Sequence, residues 1–401
     1  MSETISYKLT VKACYLGMIC QATIVNLTAI LFTALAADFN LSYTQLGALV
    51  LVNFITQVAV ALIFGSIVDR LKFRRFLVGG HITAAIGMAW FAITPLVPFN
   101  AYAMLMIGTL TFGVAGGFLE LLLSPTLNAI PSDEKSSAMS IMHAFFCFGH
   151  AGVAVITTLF LFVFGRDAWP FVMIIWLLIP LTNAMLFAKC PIAPTVPEEN
   201  QTSAKDAIKT PLFILLVIMI LFAGASELAF SQWTSAFLEE AMGLPKIIGD
   251  TAGVATFALS MAFGRVAYGV LKKRGTAWLP SQSRLMLMGS ALAVFSYVIM
   301  AVTYNPMLGF LACIMCGIGV SLLWPGTLSL SVKAFPLAGT WMFAIMAAGG
   351  NIGASLGPAA LGVIADIGGL RMGYLLTAAI PLGAVVCLVV YHGMRRKKLS
   401  E

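Results

Sequence analysis

The 401 residues are 60% hydrophobic and only 10% charged, with a formal net charge of +7. A soluble domain needs roughly 25% charged residues, so this composition excludes a soluble fold and indicates an integral membrane protein. The apolar runs are about 20 residues long, the length of a spanning helix rather than of a barrel strand. Because the lysines and arginines flank these runs, the positive charge reports membrane topology, and we expect no nucleic-acid partner.

The apolar runs predict twelve transmembrane helices, an all-α polytopic fold with two pseudo-symmetric six-helix bundles. The predicted spans are 10–36, 43–67, 76–95, 101–129, 137–164, 169–189, 211–238, 247–271, 284–303, 307–332, 339–365 and 370–393. Basic residues at the span ends favour one side by 19 to 3. We therefore expect both termini to be cytoplasmic and the protein to lie in the plasma membrane, in bacteria the inner membrane.

A polar stretch rich in proline, threonine and glutamate divides the chain near its middle. It predicts an N-terminal bundle at 1–190, a cytoplasmic linker at 191–210 and a C-terminal bundle at 211–401. The halves echo each other weakly, since the glycine-flanked segment that begins at Gly149 returns at Gly350, about 200 residues later. Parallel halves of this kind are typical of secondary transporters with a substrate site near the membrane midplane.

The junction of spans 2 and 3, GSIVDRLKFRR, begins at Gly65, which lets neighbouring helices approach closely. Asp69 can pair with a helix N-terminus or with an arginine of another helix; the alternative is a plain positively charged loop. The stretch resembles the signature loop of the major facilitator superfamily. Its second copy keeps an arginine, Arg265, but has no acid. We expect the cytoplasmic ends to be gated by Asp69, Arg70, Arg74 and Arg265.

Glu120 is an acid deep inside span 4, among glycine and apolar residues. A charge at this depth costs about 2.5–3.5 kcal/mol on insertion scales. Its carboxyl should therefore be neutral when occluded and titrate when wet, which allows it to carry a proton. The alternative is a permanently protonated glutamate that bonds a neighbouring helix. Pro125, five residues later, is predicted to interrupt the same helix.

Two histidines and a second acid are further candidates. His143 and His150 are seven residues apart and share one face of span 5. His143 could bond substrate or exchange a proton with Glu120; the alternative is a neutral histidine that bridges two helices. Glu227 in span 7 is a second proton site, a ligand for substrate hydroxyls, or a gate-stabilising hydrogen-bond partner. No third metal ligand accompanies the histidines, so we expect no metal or cofactor and a proton gradient as the energy source.

Polar and aromatic side chains inside the spans are the candidate substrate ligands. An indole face suits the apolar face of a sugar ring, and amide groups suit its hydroxyls. Packing within the helix bundle is the alternative for each of them. The substrate-binding candidates are Gln21, Asn26, Asn53, Gln57, His143, Gln232, Trp233, Trp324 and Asn351.

Two short motifs resemble a narrower family. Glu120 with Ser124 and the following proline resembles an E-x-x-x-N-P motif, with serine in place of asparagine. The segment from His143 through Gly149 resembles Q-x-F-N-P-x-G, with Cys147 in place of proline. Both motifs belong to the fucose permease family, the fucose–galactose–glucose proton symporters. The resemblance implies that Glu120 is the protonatable residue near a bound sugar and that His143 takes the glutamine position. Span 1 departs from the family because it has no acid before Asp38.

These observations predict a secondary active transporter that imports a small polar solute, first of all a monosaccharide, together with a proton by alternating access. We expect a monomer in a lipid bilayer whose partners are a small-molecule substrate and protons. No nucleophile–base pair or phosphate loop suggests an enzyme. The alternative function is a proton-driven exporter of amphipathic compounds. Its binding pocket would be more apolar, and the 28 phenylalanines and 21 methionines of the chain would permit such a pocket.

Overall fold

The computed structural model describes residues 6–41, 43–65, 67–68, 73–195 and 204–400. Within these residues all regular secondary structure is helical. The helices are α1 (Lys8–Ile30), α2 (Phe32–Phe39), α3 (Tyr43–Phe64), α4 (Phe73–Ala92), α5 (Ala101–Ala129), α6 (Lys135–Phe164), α7 (Trp169–Lys189), α8 (Ala204–Ile208), α9 (Pro211–Ala236), α10 (Lys246–Ile248), α11 (Ala255–Lys273), α12 (Gln282–Val302), α13 (Pro306–Val320), α14 (Leu323–Ala334), α15 (Thr340–Thr377) and α16 (Ala379–Ser400).

Ten stretches of the described chain are long and apolar enough to cross a membrane. One of them, Thr340–Arg395, has 56 residues, and its helix is broken at Gly369, where φ is 79°. Glycine adopts this left-handed conformation without a steric penalty, so the stretch makes two crossings. The 20-residue α4 makes a further one, although its arginines and its histidine lower its hydropathy. The described helices thus provide twelve crossings, as the sequence predicts.

Two crossings that the sequence predicts as continuous are interrupted. The first is broken at Leu31, between α1 and α2. The tenth is broken at Ser321 and Leu322, between α13 and α14. Pro325 follows this second break and has no N–H group to donate to the carbonyl of Ser321, four residues earlier. The expected break at Pro125 is wrong, because α5 continues through that proline to Ala129.

Contacts divide the chain into two compact units, of which unit 1 comprises Met1–Ser132, Phe148–Asn200 and Gly339–Ala348. In unit 1, α5 packs against α1, α3 and α4, and α7 packs against α1 and α4. Glycines allow α3 to approach α5 closely: a Cβ atom on Gly116 would lie 2.9 Å from Cδ of Gln57. This approach brings polar side chains of α3 next to the helix that carries Glu120.

Unit 2 comprises Asp133–Cys147, Gln201–Ala338 and Gly349–Glu401. Its helix α9 packs against α14 and α16, while α13 packs against α11 and α12. Buried tyrosines fix the backbone of α9: Tyr297 Oη donates to the carbonyl of Ser226 at 2.8 Å, and Tyr374 Oη donates to that of Phe230 at 2.9 Å. These bonds hold the segment of α9 that carries Glu227. The predicted division at 191–210 stays a prediction, and residues 196–203 of that linker lie outside the described part.

Candidate functional site

In unit 1, Glu120 on α5 is half-buried and accepts a hydrogen bond from an amide side chain on α1. Gln21 Nε2 donates to Glu120 Oε2 at 3.2 Å and to Gln57 Oε1 at 2.8 Å. One nitrogen of Gln21 therefore connects the carboxyl of α5 with an amide of α3. The structure brings together three predicted site residues from three different helices.

The contacts continue from Gln57 to a backbone carbonyl. Gln57 Nε2 donates to Asn53 Oδ1 at 3.0 Å, and Asn53 Nδ2 donates to the carbonyl oxygen of Ile24 at 2.8 Å. Gln21, Asn53 and Gln57 are all buried. Asn26, also a predicted ligand, lies apart from this chain of contacts, since its Nδ2 donates to the carbonyl of Ala22 in its own helix at 2.8 Å.

In unit 2, the second acid is held by a cation. Arg265 Nη2 lies 3.0 Å from Glu227 Oε2, and both side chains are buried, with 2% and 8% of their surface exposed. A buried carboxylate or guanidinium is tolerated when it is paired and hydrogen-bonded. Two residues that the sequence assigns to different tasks, proton coupling and gating, thus form one ion pair.

The remaining donors of Arg265 bind backbone and sulfur acceptors. Its Nε donates to the carbonyl of Ser321 at 2.8 Å, where Pro325 cannot donate the usual helical hydrogen bond. Its Nη1 donates to the carbonyl of His143 and to Cys147 Sγ, both at 2.9 Å. The guanidinium therefore ties the break between α13 and α14 to helix α6 as well as to Glu227.

The first part of α6 and helix α11 run antiparallel with a regular series of contacts. Ser140 Oγ donates to the carbonyl of Arg265 at 2.8 Å, and Ser137 Oγ donates to that of Gly269 at 2.5 Å. Near the helix ends, Lys272 Nζ lies 3.6 Å from Glu134 Oε1. We call these contacts, with those of Arg265 to His143 and Cys147, the α6–α11 seam.

His143 is buried in this seam, where its backbone carbonyl accepts the hydrogen bond from Arg265 Nη1. His150 is also buried and lies in unit 1, beyond the end of the seam. Among the described residues no group of three or more histidine, cysteine, aspartate or glutamate side chains could hold a metal ion.

The other substrate candidates of unit 2 differ in their surroundings. Trp233 Nε1 donates to the carbonyl of Pro358 at 3.0 Å, and its neighbour Gln232 is exposed. Trp324 lies against Gly350, where an added Cβ atom would come within 2.2 Å of the indole ring. Asn351 is buried, and its Nδ2 has no hydrogen-bond partner in the described part of the chain. The structure therefore does not gather these four side chains into one hydrogen-bonded cluster.

Among the gating candidates of unit 1, only Arg74 is described. Its Nη1 donates to the carbonyls of Phe187 and Ala188 at the end of α7. A cation at a helix C-terminus compensates the unpaired carbonyls there. Asp69 and Arg70 lie outside the described residues, so their predicted gating role stays a prediction.

Sequence reasoning missed three residues that contact Arg265. The sequence suggests only a packing role for Cys147, and nothing distinguishes Ser140 from the other serines. Ser321 acts through its backbone carbonyl, which its side chain does not reveal. The one available signal for Ser321 is Pro325, because a proline inside a span frees the carbonyl four residues earlier. The partner of that carbonyl, Arg265, could not be found from the sequence.

Comparison with known protein families identifies the superfamily to which the chain belongs. A family profile described as Major Facilitator Superfamily matches residues 14–342. The chain belongs to the major facilitator superfamily. It is therefore an integral, multi-pass membrane transporter with the major facilitator fold, and the predicted all-α, twelve-helix fold is confirmed.

Solved structures agree with this assignment. A variant of the E. coli fucose:proton symporter FucP is similar with a TM-score of 0.76 and 15% identity, over 96% of this chain and 99% of that one. A crystal structure of FucP in the outward conformation gives the same values. The human organic anion transporter MFSD10 has a TM-score of 0.72 and 13% identity, over 96% of this chain and 100% of that one. No curated protein sequence matches significantly. At these identities the similarity establishes the fold alone.

Proposed function

We propose that this major facilitator protein imports a small polar solute, a monosaccharide, together with a proton. The observation that carries the proposal is the hydrogen bond that Glu120, an acid inside a membrane-spanning helix, accepts from the amide of Gln21 at 3.2 Å. An amide nitrogen can donate to a carboxyl in both its neutral and its ionised form, so this contact allows Glu120 to gain and lose a proton. Glu227 lies 3.0 Å from the guanidinium of Arg265, and loss of the carboxylate charge there would leave a buried cation without its counter-charge.

The same neighbourhood favours a polyhydroxylated solute. Gln21, Asn53 and Gln57 place amides beside Glu120, and amides can both donate to and accept from hydroxyl groups. The motifs that resemble those of the fucose permease family point the same way, and a fucose:proton symporter has the same fold. Within unit 2, Trp324 offers an indole face and Asn351 an amide donor, groups that suit the same class of solute.

The remaining roles follow from charge. A second proton-coupling group consists of Glu227 and His143, beside Arg265. The gating residues are Arg265 and Arg74, which bind backbone carbonyls at helix ends. The protein would work as a monomer without a cofactor, in the plasma membrane of a bacterium, with both termini in the cytoplasm and the proton gradient as its energy source.

Proton uptake by proteoliposomes tests the proposal. Each member of a panel of monosaccharides is added to vesicles that contain the wild type, Glu120→Gln or the control Asp167→Asn, an exposed acid near Arg166. We expect one sugar to drive proton entry in the wild type and the control. The Glu120→Gln variant should exchange that sugar across the membrane without moving protons.

Two results would contradict the proposal. If Glu120→Gln still moves protons with the sugar, Glu120 is not the coupling site. If no sugar moves protons and a hydrophobic cation instead leaves its compartment in exchange for protons, the protein is an exporter of amphipathic compounds.

A further inference from the structure

Helix α12 begins with a positive charge where most helices have a negative or polar cap. Its first residues are Gln282, Ser283 and Arg284, and its first turn contains no acid. A helix N-terminus carries a partial positive charge and open N–H groups, which acids or capping side chains usually satisfy. Ser281 in the N-cap position makes no side-chain hydrogen bond to the helix. This helix end therefore lacks the acceptor and the negative charge that such ends favour.

A buried amide at the same helix end also lacks a partner. Only 7% of Gln282 is exposed, and neither its Nε2 nor its Oε1 has a hydrogen-bond partner in the described part of the chain. Helical side chains lean toward the N-terminus of their helix, so this amide lies at the end where the N–H groups are open. An unpaired buried polar group costs free energy. The beginning of α12 is thus incomplete without a further hydrogen-bonding group.

Exposed cations lie on the same side of the membrane as this helix end. They are Lys273, Arg274, Arg284 and Arg395. The last of them comes from α16, which is held against α12 by a contact of 3.1 Å between His392 Nε2 and Ser283 Oγ. Arg395 follows His392 by three residues and shares its helix face. The segment 272–284 contains no acid that could balance these charges.

The loop that leads into α12 presents an indole to its surroundings. Trp278 is 73% exposed. The loop is fixed to the end of α11 by Gly275, whose N–H group donates to the carbonyl of Lys272 at 3.1 Å, and by Thr276 Oγ1, which donates to the carbonyl of Leu271 at 2.9 Å. Tryptophan prefers the headgroup region of a bilayer. The exposed indole therefore indicates that this loop lies at the level of the lipid headgroups.

Membrane topology alone accounts for some of these cations but not for Arg284. Basic residues concentrate on the side predicted to be cytoplasmic. Lys273 and Arg274 also lie at a helix C-terminus, which favours cations. Arg284 instead adds a positive charge to a helix end that is already positive. Basic surfaces at helix ends on the cytoplasmic side suit the headgroups of anionic phospholipids.

We propose that the beginning of α12, with Gln282, Arg284 and Arg395, binds the headgroup of an anionic phospholipid. The phosphate oxygens accept hydrogen bonds from the open N–H groups, from the two guanidinium groups and from Nε2 of Gln282. A hydroxyl group of the headgroup donates to Oε1 of the same amide. Phosphatidylglycerol has both a phosphate and hydroxyl groups and is the probe. This lipid site is separate from the proposed transport of a solute and from Glu120.

Quenching of Trp278 fluorescence by brominated lipids tests the proposal on the whole protein in nanodiscs. The signal of Trp278 is the difference between the wild type and Trp278→Phe. Brominated phosphatidylglycerol and brominated phosphatidylcholine are compared at equal mole fractions in phosphatidylcholine discs. Arg284→Gln and Arg395→Gln each remove one cation of the site. The control Lys189→Gln removes an exposed cation at the end of α7, on the same predicted side.

Brominated phosphatidylglycerol should quench Trp278 at a lower mole fraction than brominated phosphatidylcholine. Each glutamine variant should weaken this preference about fivefold, and Lys189→Gln should retain it. Arg284→Glu places an acid three residues after Ser281, the spacing of a capping box. This variant should lose the preference for the anionic lipid and should melt at a higher temperature than the wild type in phosphatidylcholine discs.

Three results would overturn the proposal. The first is equal quenching by the two lipids in the wild type. The second is an unchanged preference in the glutamine variants and in Arg284→Glu, which also carries the test if a glutamine variant does not fold. The third is loss of the preference in excess inorganic phosphate, which would show that the site takes a free anion and not a lipid. Because no solute is present, none of these results depends on the proposed function.

Discussion

Arg265 joins several helices of unit 2 through its side chain. Its guanidinium has a carboxylate, two carbonyls and a thiol as partners within 3.0 Å. Lysine could not replace it, because one ammonium group cannot reach partners that lie around a planar fork of five donors. Removal of the arginine would also leave Glu227 buried without its counter-charge, which is the costly way to break a buried ion pair.

Arg265→Gln should therefore lower the free energy of unfolding by about 3–5 kcal/mol. The double variant Glu227→Gln and Arg265→Gln should recover part of this loss, because no charge is then buried without a partner. Thermal unfolding in detergent, followed by tryptophan fluorescence, measures both. A double variant as unstable as Arg265→Gln would show that the lost backbone contacts, and not the stranded carboxylate, cause the effect.

At this scale the sequence predicts which residues are exceptional but not how they pair. Glu227 and Arg265 both stand out as charges inside apolar spans, yet 38 residues separate them and nothing in their local pattern links them. Glu120 and Gln21 are 99 residues apart. Their contacts depend on how closely the helices pack, which is decided by glycines such as Gly116 whose neighbours are unknown until the fold is built.

Among the helices, α6 and α11 show most clearly how small residues set a distance. A Cβ atom on Gly269 would lie 2.5 Å from Cγ1 of Ile141 and 3.2 Å from the carbonyl oxygen of Ser137. The β-branched isoleucine is stiff at χ1 and cannot easily move aside. Glycine at this position therefore permits the serine hydroxyls of α6 to reach the carbonyls of α11.

Gly269→Ala should destabilise the protein by about 1–3 kcal/mol, the usual cost of overpacking. Ile141→Ala in the same chain should restore part of the stability, because it removes the atom that the new methyl group meets. The control is Gly79→Ala, since a Cβ atom on Gly79 has nothing within 4 Å; it should be neutral or stabilising by up to about 1 kcal/mol. Equal melting temperatures for Gly269→Ala and Gly79→Ala would contradict the close approach.

The helices themselves were largely predictable, because hydrophobic length determines where a span begins and ends. Their interruptions were not. Pro125 and Pro325 give the same local signal, yet α5 continues through the first and the tenth crossing breaks before the second. The side chain that satisfies the carbonyl of Ser321 comes from α11, 56 residues away in the chain. A proline alone does not say whether such a donor exists.

For the whole molecule, an even number of crossings, twelve, puts the two termini on the same side of the membrane, and the distribution of basic residues predicts that this side is the cytoplasm. A fluorescent protein that folds only in the cytoplasm should therefore be bright when fused to either terminus. An alkaline phosphatase fusion, active only outside, should be inactive at both. Phosphatase activity at one terminus alone would imply an odd number of crossings; activity at both would invert the topology.

The pairing of Arg265 with Glu227 also has an electrical consequence. A positive and a negative group 3.0 Å apart that move together carry no net charge through the membrane field. Moving one elementary charge through a membrane potential of 100 mV changes its energy by about 2.3 kcal/mol. The same movement of this neutral pair changes the energy by almost nothing. Voltage would then act on the transport cycle through Glu120, the acid to which the proposed function assigns the coupled proton. Currents recorded from the carrier should accordingly lose their voltage dependence in Glu120→Gln and keep it when the pair is replaced by two glutamines.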